Sequence, residues 1–230
     1  MSLPPKHILI ASMPKAAGTY LLDSIERRSK LHRVNLLPGM DRREMEISNT
    51  RAILNWPRNY FTGAHLCASK ATDRIIRHHG MKTLVLHRNL FDCAISLRDH
   101  VRRESTVFSM AYFDARFASM DDAELESAIV DLAMPWYFKF YLSWKASRQP
   151  VLFLGYRDVV ERGEETFGRI AAFTGVRFHA APGETQPGFG ESRFNVGTSG
   201  RGEAMSPKAR DALIALARHY NHHDLSEIGF

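Results

Sequence analysis

The sequence contains few cysteines and no long apolar run. The first absence argues against a disulfide-rich protein, and the second argues against a membrane-spanning one. Cys67 and Cys93 are the only cysteines among 230 residues, too few for a disulfide framework and typical of a reducing compartment. The first apolar run, residues 7–12, is too short to cross a bilayer, and nothing before it resembles the apolar core of a signal peptide. We therefore expect a cytoplasmic protein without a membrane span.

The sequence also lacks an acidic cluster suited to a metal ion, and its charge is weakly basic. Lys and Arg number 31 against 25 Asp and Glu, a formal net charge of +6. This excess favours anionic partners such as nucleotides, phosphorylated or sulfated compounds, nucleic acid or an anionic surface. The basic residues are dispersed and form no basic-aromatic platform, so we expect no nucleic-acid binding. The length and the 44% hydrophobic content fit a single domain over residues 1–230.

Short apolar segments alternate with helical patterns along the chain. The predicted strands cover 7–12, 58–66, 82–88 and 150–158. The predicted helices cover 19–30, 71–80, 91–103, 121–147 with an interruption near Pro135, 164–175 and 206–220. Residues 180–204, rich in Gly, Pro, Ser and Thr, predict a long loop. Alternation of this kind indicates parallel strands joined by helical crossovers, hence a three-layer α/β/α domain with a central parallel sheet.

Four polar or aromatic residues fall at or just after the ends of predicted strands: Lys15, His65, Arg88 and Tyr156. Ligands of open parallel sheets bind at the carboxyl ends of the strands. These side chains are therefore expected to gather at one edge of the sheet.

The stretch IASMPKAAGTYLL (10–22) joins the first strand to the first helix through small residues and one lysine. A loop of this composition lets consecutive backbone N–H groups point at a phosphate, with the helix N-terminus behind them. Lys15 adds a positive charge, and Gly18 and Thr19 supply close approach and a hydroxyl. The loop lacks the GxxxxGK[ST] pattern of nucleoside triphosphatases. Taken alone, it fits a plain strand-to-helix turn equally well.

A second stretch, LVLHRNLFDCAISLRDH (84–100), places Arg88 at a strand end and Ser96 about two helical turns later. An arginine can bind a phosphate through two nitrogens, and a serine can donate its hydroxyl to the same group. The alternative is a structural arginine paired with Asp92 or Asp99.

Together these stretches resemble the sulfotransferases that use 3′-phosphoadenosine 5′-phosphosulfate (PAPS). PKAAGTY (14–20) aligns with the family's P-K-S-G-T-T-W loop, and RNLFDCAIS (88–96) aligns with its R-N-P-x-D-x-x-x-S stretch. QPVLFLGYRD (149–158) matches a third stretch, HPVLYLxYED. The resemblance implies a P-loop-like sulfotransferase fold and a donor site. The residues that it places in that site are Lys15, Ala17, Gly18, Thr19, Tyr20, Arg88, Ser96 and Tyr156.

The sequence departs from the family pattern at several positions. Ala17 replaces the loop glycine and Gly18 replaces a threonine, while Leu90 stands where proline is usual. RFNVGTSGRGEAM (193–205) matches the family's late R-K-G-x-x-G-D-W stretch only in part, because the leading Arg-Lys and the tryptophan are missing. Arg193 or Arg201 is expected to reach the 3′-phosphate; otherwise this stretch is a surface loop.

The resemblance also implies a histidine base, and GAHLCAS (63–69) places His65 at that position. The near-neutral pKa of a histidine suits a general base. The expected reaction is in-line sulfuryl transfer without a metal, in which His65 deprotonates an acceptor hydroxyl and Lys15 stabilises the departing oxygen. The product of the donor would be 3′,5′-adenosine bisphosphate (PAP). Gly63 stands where the family has a second lysine.

The acceptor is expected to lie among the loops 36–60 and 102–120, as a carbohydrate or a small-molecule alcohol. In the second loop Arg102, Arg103 and Arg116 mix with aromatic residues, which fits an acidic sugar or an aromatic alcohol. An amphipathic helix packed on the core fits equally well. The rival functions are a nucleotide-dependent kinase or NTPase with an atypical P-loop, and a non-catalytic nucleotide-binding relative.

Overall fold

The computed structural model describes residues 4–39, 46–108, 110–180 and 199–230. In these ranges it contains one five-stranded sheet in the order β2-β3-β1-β4-β5, with every neighbouring pair parallel. The strands are β1 (His7–Ser12), β2 (His32–Arg33), β3 (Tyr60–Ala64), β4 (Lys82–His87) and β5 (Val151–Gly155). This confirms the predicted α/β class with a central parallel sheet.

Helices connect and surround the strands. They are α1 (Gly18–Arg28), α2 (Asn49–Asn55), α3 (Lys70–His78), α4 (Leu90–Arg103), α5 (Ala115–Ser119), α6 (Asp122–Leu132), α7 (Met134–Lys145), α8 (Tyr156–Glu161), α9 (Gly163–Thr174) and α10 (Pro207–Arg218). Short 3₁₀ turns cover Arg201–Ala204 and Ser226–Ile228. None of the described helices is long and apolar enough to cross a membrane.

The first strand occupies the centre of the sheet. All six residues of β1 are buried, which requires cover on both faces and explains its continuous apolar sequence. Ile10 lies opposite Gly63 of β3 on one side and Leu84 of β4 on the other. A Cβ on Gly63 would lie 2.7 Å from Leu22 Cδ1, so α1 packs directly on the β3 backbone.

Several helices begin where side-chain caps are present. The Asn89 side chain accepts hydrogen bonds from the backbone N–H groups of Phe91 and Asp92 and so fixes the start of α4. Leu90, at the usual proline position, is the first residue of that helix. Ser206 precedes α10 at the cap position without a side-chain cap bond, while Pro207 takes the first helical position.

The structure differs from the prediction in several stretches. The strand predicted over 150–158 ends at Gly155, because the backbone N–H of Gly155 donates to Asp158 Oδ2 (3.0 Å) and starts α8 at Tyr156. The helical region predicted over 121–147, with an interruption near Pro135, is divided as expected into α6 and α7 at Ala133. The acceptor loop expected over 36–60 contains α2, which Ser48 caps; residues 40–45 lie outside the described part.

The aromatic-rich α7 belongs to the core. Its fully buried aromatic residues are Tyr137, Phe138, Phe140, Tyr141 and Trp144. The Trp144 indole N–H donates to the Leu66 carbonyl (2.9 Å), so this helix fixes the segment that follows β3.

Candidate nucleotide and transfer site

The loop between β1 and α1 holds two non-glycine residues in the left-handed region, Lys15 (φ 64°) and Ala17 (φ 65°). Such conformations cost free energy and persist only where the surrounding structure enforces them. Alternation of right- and left-handed residues turns successive N–H groups to one side and forms a concave anion site. A Cβ on Gly18 would lie 2.8 Å from Ser12 Oγ, so a larger residue where the loop enters α1 would require the Ser12 hydroxyl to move.

Buried groups from three other elements hold this loop in place. The Met13 N–H donates to the Leu86 carbonyl of β4 (3.0 Å). The Tyr137 hydroxyl donates to the Pro14 carbonyl (3.3 Å), and the Cys93 thiol reaches the same oxygen (3.9 Å). Burial raises the pKa of Cys93 to about 12, which keeps the thiol protonated as a donor.

Arg88 joins the loop to the far side of the site. It is 6% exposed, and its Nη1 donates to the Lys15 carbonyl (3.0 Å). Its guanidinium carbon lies 3.8 Å from the centre of the Tyr156 ring, a cation–π contact. Asp92 Oδ2 lies 3.7 Å from Arg88 Nε. The sequence placed Lys15, Arg88 and Tyr156 at strand ends, and the structure brings these three into contact.

Other residues implied by the resemblance lie around this junction. Ser96 is buried on α4, two turns beyond Arg88. Thr19 is exposed in the first turn of α1, and Tyr20 beside it is half-buried against the core.

Asp92 fastens a second backbone segment to the site, which we call the glycine turn (residues 200–202). Its Oδ2 accepts from the Gly200 N–H (3.1 Å) and its Oδ1 accepts from the Gly202 N–H (2.7 Å). A Cβ on Gly202 would lie 2.4 Å from Phe91 Cβ, so the turn lies directly on the first turn of α4. The spacing of Asp92 after Arg88 was visible in the sequence, but its partners were not.

The glycine turn carries Arg201 to the same helix. Arg201 Nη2 is hydrogen-bonded to Asp99 Oδ2, and Arg98 Nη2 lies 3.3 Å from Asp99 Oδ1. Burial by itself would raise the pKa of Asp99, but the hydrogen bond and charge of Arg201, together with Arg98, hold that pKa below its ordinary value. Arg193, the other arginine expected here, lies outside the described residues.

His65 directly follows β3 and faces the end of β1. Its Nδ1 lies 2.7 Å from the Ser12 carbonyl oxygen. Because a carbonyl only accepts, Nδ1 carries the proton and Nε2 is the basic nitrogen. Burial lowers the pKa of His65 and the charge of Lys15 lowers it further, while the Ser12 carbonyl opposes both effects. The ring is therefore neutral near pH 7, as a general base must be.

Lys15 also contacts a residue that the sequence analysis missed. Its Nζ lies 3.7 Å from Glu104 Oε1, and the other carboxylate oxygen of Glu104 lies 2.9 Å from His100 Nδ1. Burial lowers the pKa of Lys15, although the charge and hydrogen bond of Glu104 oppose this. The i, i+4 spacing of His100 and Glu104 at the end of α4 was the only sequence signal of this group.

Two of the three arginines of the expected acceptor loop are paired with groups within that loop or next to it. Arg102 Nη2 donates to the Met120 carbonyl (2.6 Å) and lies 2.7 Å from Asp122. Arg116 lies 2.7 Å from Asp114. Beside them, a cleft of about 490 Å³ opens between the end of α4 and the segment 119–122.

No group of three or more His, Cys, Asp or Glu side chains suited to a metal ion occurs within the described ranges. This finding concerns those ranges alone.

The fold is that of the P-loop-like α/β proteins with an all-parallel sheet. More particularly, it is the sulfotransferase fold: the chain is similar to the crystal structure of mouse sulfotransferase SULT7A1 complexed with PAP, with a TM-score of 0.68 and 16% sequence identity over 96% of this chain and 86% of that one. An unliganded sugar kinase from Janibacter sp. HTCC2649 matches with a TM-score of 0.46 and 9% identity over 75% of this chain and 96% of that one, too low to carry an argument. No family model matches the chain, and no curated protein matches it.

Proposed function

We propose that this chain, as a single domain over residues 1–230, is a cytoplasmic sulfotransferase that moves the sulfuryl group of PAPS to an acceptor hydroxyl. The observation that carries the proposal is the junction at Arg88. We call the loop between β1 and α1 (residues 13–17) the phosphate loop. One buried guanidinium contacts both this strained loop, at the Lys15 carbonyl, and the Tyr156 ring. A cation held in this way, inside a sulfotransferase fold, suits a nucleotide with phosphates at both ends.

The two ends of the donor would bind different elements. The N–H groups of the loop around Ala17 and Gly18, with Thr19, hold the 5′ end at the start of α1. Arg88 and Ser96 bind the 3′-phosphate, and Arg201 of the glycine turn or Arg193 adds a second cation. Tyr20 and Tyr156 contact the adenine.

The transfer itself would use His65 and Lys15. His65 Nε2 accepts the proton of the acceptor hydroxyl, because Nδ1 already donates to Ser12. Lys15 stabilises the negative charge on the bridging oxygen of the donor as that oxygen leaves. The site holds acceptor and donor in line, and no metal is required. The acceptor is a carbohydrate or a small-molecule alcohol.

Calorimetric titration with PAP, ADP and ATP, with and without magnesium, tests this proposal. We expect metal-independent binding of PAP, weakened about a hundredfold or more by Arg88→Ala, because a buried charged contact to phosphate is lost. Arg28→Ala is the matched control. Arg28 is also a buried arginine over an aromatic ring, Phe167, but it lies at the far end of α1.

Thermal unfolding of both variants separates loss of binding from loss of fold. A preference for ATP with magnesium would replace the proposal with a kinase-like activity, and no binding of any of these nucleotides would overturn it. Binding of PAP without any turnover of acceptors would favour the non-catalytic relative.

A further inference from the structure

We propose that the acceptor of this enzyme carries an ammonium group and that Glu104 binds it, an inference that rests on the sulfotransferase function proposed above. Glu104 thereby determines specificity, and its carboxylate also holds Lys15 until the acceptor arrives.

The first argument is the position of Glu104. It directly follows α4, at the start of the segment expected to border the acceptor, and its side chain is 32% exposed. One carboxylate oxygen faces Lys15 Nζ at 3.7 Å and the other faces His100 at 2.9 Å. The same lysine contributes to the pKa of His65 through its charge. Glu104 therefore lies beside Lys15, one of the two groups between which an acceptor hydroxyl must be placed.

The second argument is the charge that remains after the donor binds. Lys15 then turns toward the bridging oxygen of the donor, and Glu104 keeps only the His100 ring, which is a cation only when it is protonated. A partly buried carboxylate without a counter-charge is unfavourable. A cationic group on the acceptor restores the balance, whereas a carboxylate or sulfate on the acceptor would be repelled.

The third argument is that the nearby arginines cannot readily replace Lys15. Arg98 lies 2.6 Å from Glu126 and 3.1 Å from Asp122, and Arg102 lies 2.7 Å from Asp122. Both side chains are therefore already paired with acidic residues of α6. Arg103, the chain neighbour of Glu104, is exposed, and an acidic acceptor bound by Arg103 is the opposite outcome of the test.

The arrangement couples acceptor binding to catalysis. An ammonium group that pairs with Glu104 releases Lys15 for the donor, so the cationic acceptor favours the catalytic position of that lysine. A neutral acceptor leaves Lys15 shared between Glu104 and the donor. The charge on the acceptor is thus expected to affect turnover as well as binding.

Two matched sets of probes test this inference. One set is glucosamine, glucose and glucuronate; the other is 4-(2-aminoethyl)phenol, 4-ethylphenol and 4-hydroxyphenylacetate. Turnover with PAPS and binding to the enzyme–PAP complex are measured for wild type, Glu104→Gln and the control Glu165→Gln, an exposed glutamate on α9. In at least one set we expect the ammonium member to be favoured about tenfold over the neutral one and more over the carboxylate.

Glu104→Gln should remove this preference without weakening the binding of PAP, because the loss of the carboxylate frees Lys15 for the nucleotide, and Glu165→Gln should keep the preference. The inference is overturned if Glu104→Gln retains the preference, if the carboxylate members are favoured, or if no ammonium probe binds at millimolar concentration while PAP does. Failure of the wild type to bind PAP would refute the proposed function instead, so the two failures are distinguishable.

Discussion

Histidines lie at both ends of the central sheet, with His7 and His79 buried at the amino end and His65 half-buried at the carboxyl end, but their surroundings differ. At the amino end, His7 Nδ1 faces the His79 carbonyl at 2.7 Å, and its ring stacks on Tyr60 with centroids 4.2 Å apart. His79 Nε2 lies 2.8 Å from the Asn49 side-chain oxygen. Gly80 has a left-handed backbone here, and a Cβ at that position would meet nothing within 4 Å. This end is built from neutral partners and a relaxed backbone.

At the carboxyl end, the non-glycine residues Lys15 and Ala17 take left-handed positions, and charged side chains crowd together. Lys15, Arg88 and Glu104 are each held near another charge or a backbone carbonyl. Strain and crowded charge persist where a binding site requires them. The contrast teaches that a histidine withdrawn from solvent is a candidate for a binding site only where the nearby backbone is strained and the neighbouring side chains are charged.

Replacing one histidine at each end tests this contrast most strongly. His65→Gln should lower kcat about 10²- to 10⁴-fold because the proton acceptor is lost, with the affinity for PAP retained. His79→Gln should leave kcat within about twofold and lower the free energy of unfolding by about 1–3 kcal/mol, since its buried hydrogen bonds are disturbed. Steady-state kinetics and urea unfolding give both numbers, and an unchanged kcat in His65→Gln would remove its role as base.

A methyl group added to a glycine at each end gives the next largest difference. Gly202→Ala places a Cβ 2.4 Å from Phe91 Cβ, which should push the glycine turn off α4 and weaken PAP binding about tenfold. Gly80→Ala meets no atom but takes a left-handed conformation (φ 59°), so it should cost about 1 kcal/mol of stability and leave PAP binding unchanged. Calorimetric titration of both variants with PAP measures this difference. Equal PAP affinities would show that the glycine turn is not part of the nucleotide site.

The pH dependence of His65 sharpens the comparison further. Because its folded pKa lies below 6.5, neutral His65 predominates above that value, and kcat/KM should fall as the pH drops through the folded pKa. The same shift means that the unfolded chain binds protons more readily, so this residue also contributes less stability as the pH falls.

Proton NMR of the imidazole measures that pKa directly. Lys15→Met should raise it, since the charge of Lys15 lowers it. Lys82→Met at the amino end of β4 should leave it where it is. A His65 pKa that Lys15→Met leaves unchanged would contradict the proximity of Lys15 to His65.

The smallest expected effect concerns the strain in the phosphate loop. Ala17→Gly should raise the free energy of unfolding by about 1 kcal/mol, because glycine takes the left-handed conformation without the clash of a Cβ. The neighbouring Ala16→Gly should lower it, since Ala16 is fully buried and does not have a positive φ. Urea unfolding of the pair suffices, and a loss of stability in both would show that Ala17 carries no strain.

The sequence predicted the fold well because parallel strands that are covered on both faces appear as continuous apolar runs. It missed β2, which has only two residues, and α2, whose seven residues give too short a period. It placed Tyr156 in a strand because the turn at Gly155 depends on the Asp158 side chain three residues later.

The candidate site was predictable only in part. Of the four residues that the strand-end rule selected, Lys15, Arg88 and Tyr156 do meet, and His65 contacts Ser12 at the end of β1. Glu104 escaped, as did the contact of the glycine turn with Asp92, because these contacts join segments far apart in the chain. Such tertiary pairs leave no periodic signal in a single sequence. The roles of all these residues in binding and transfer stay predictions until the nucleotide and acceptor experiments are done.

The central position of β1 in the sheet affects the order in which parts of the molecule form during folding. β1 is the first strand in the chain, yet its ladder needs β3 and β4, and the loop after it needs Arg88 of the β4–α4 corner and Tyr137 of α7. Contacts between such distant segments form slowly, because the intervening chain must first be closed into loops. During refolding, the capacity to hold an anion should therefore emerge late, after most of the helical signal has returned.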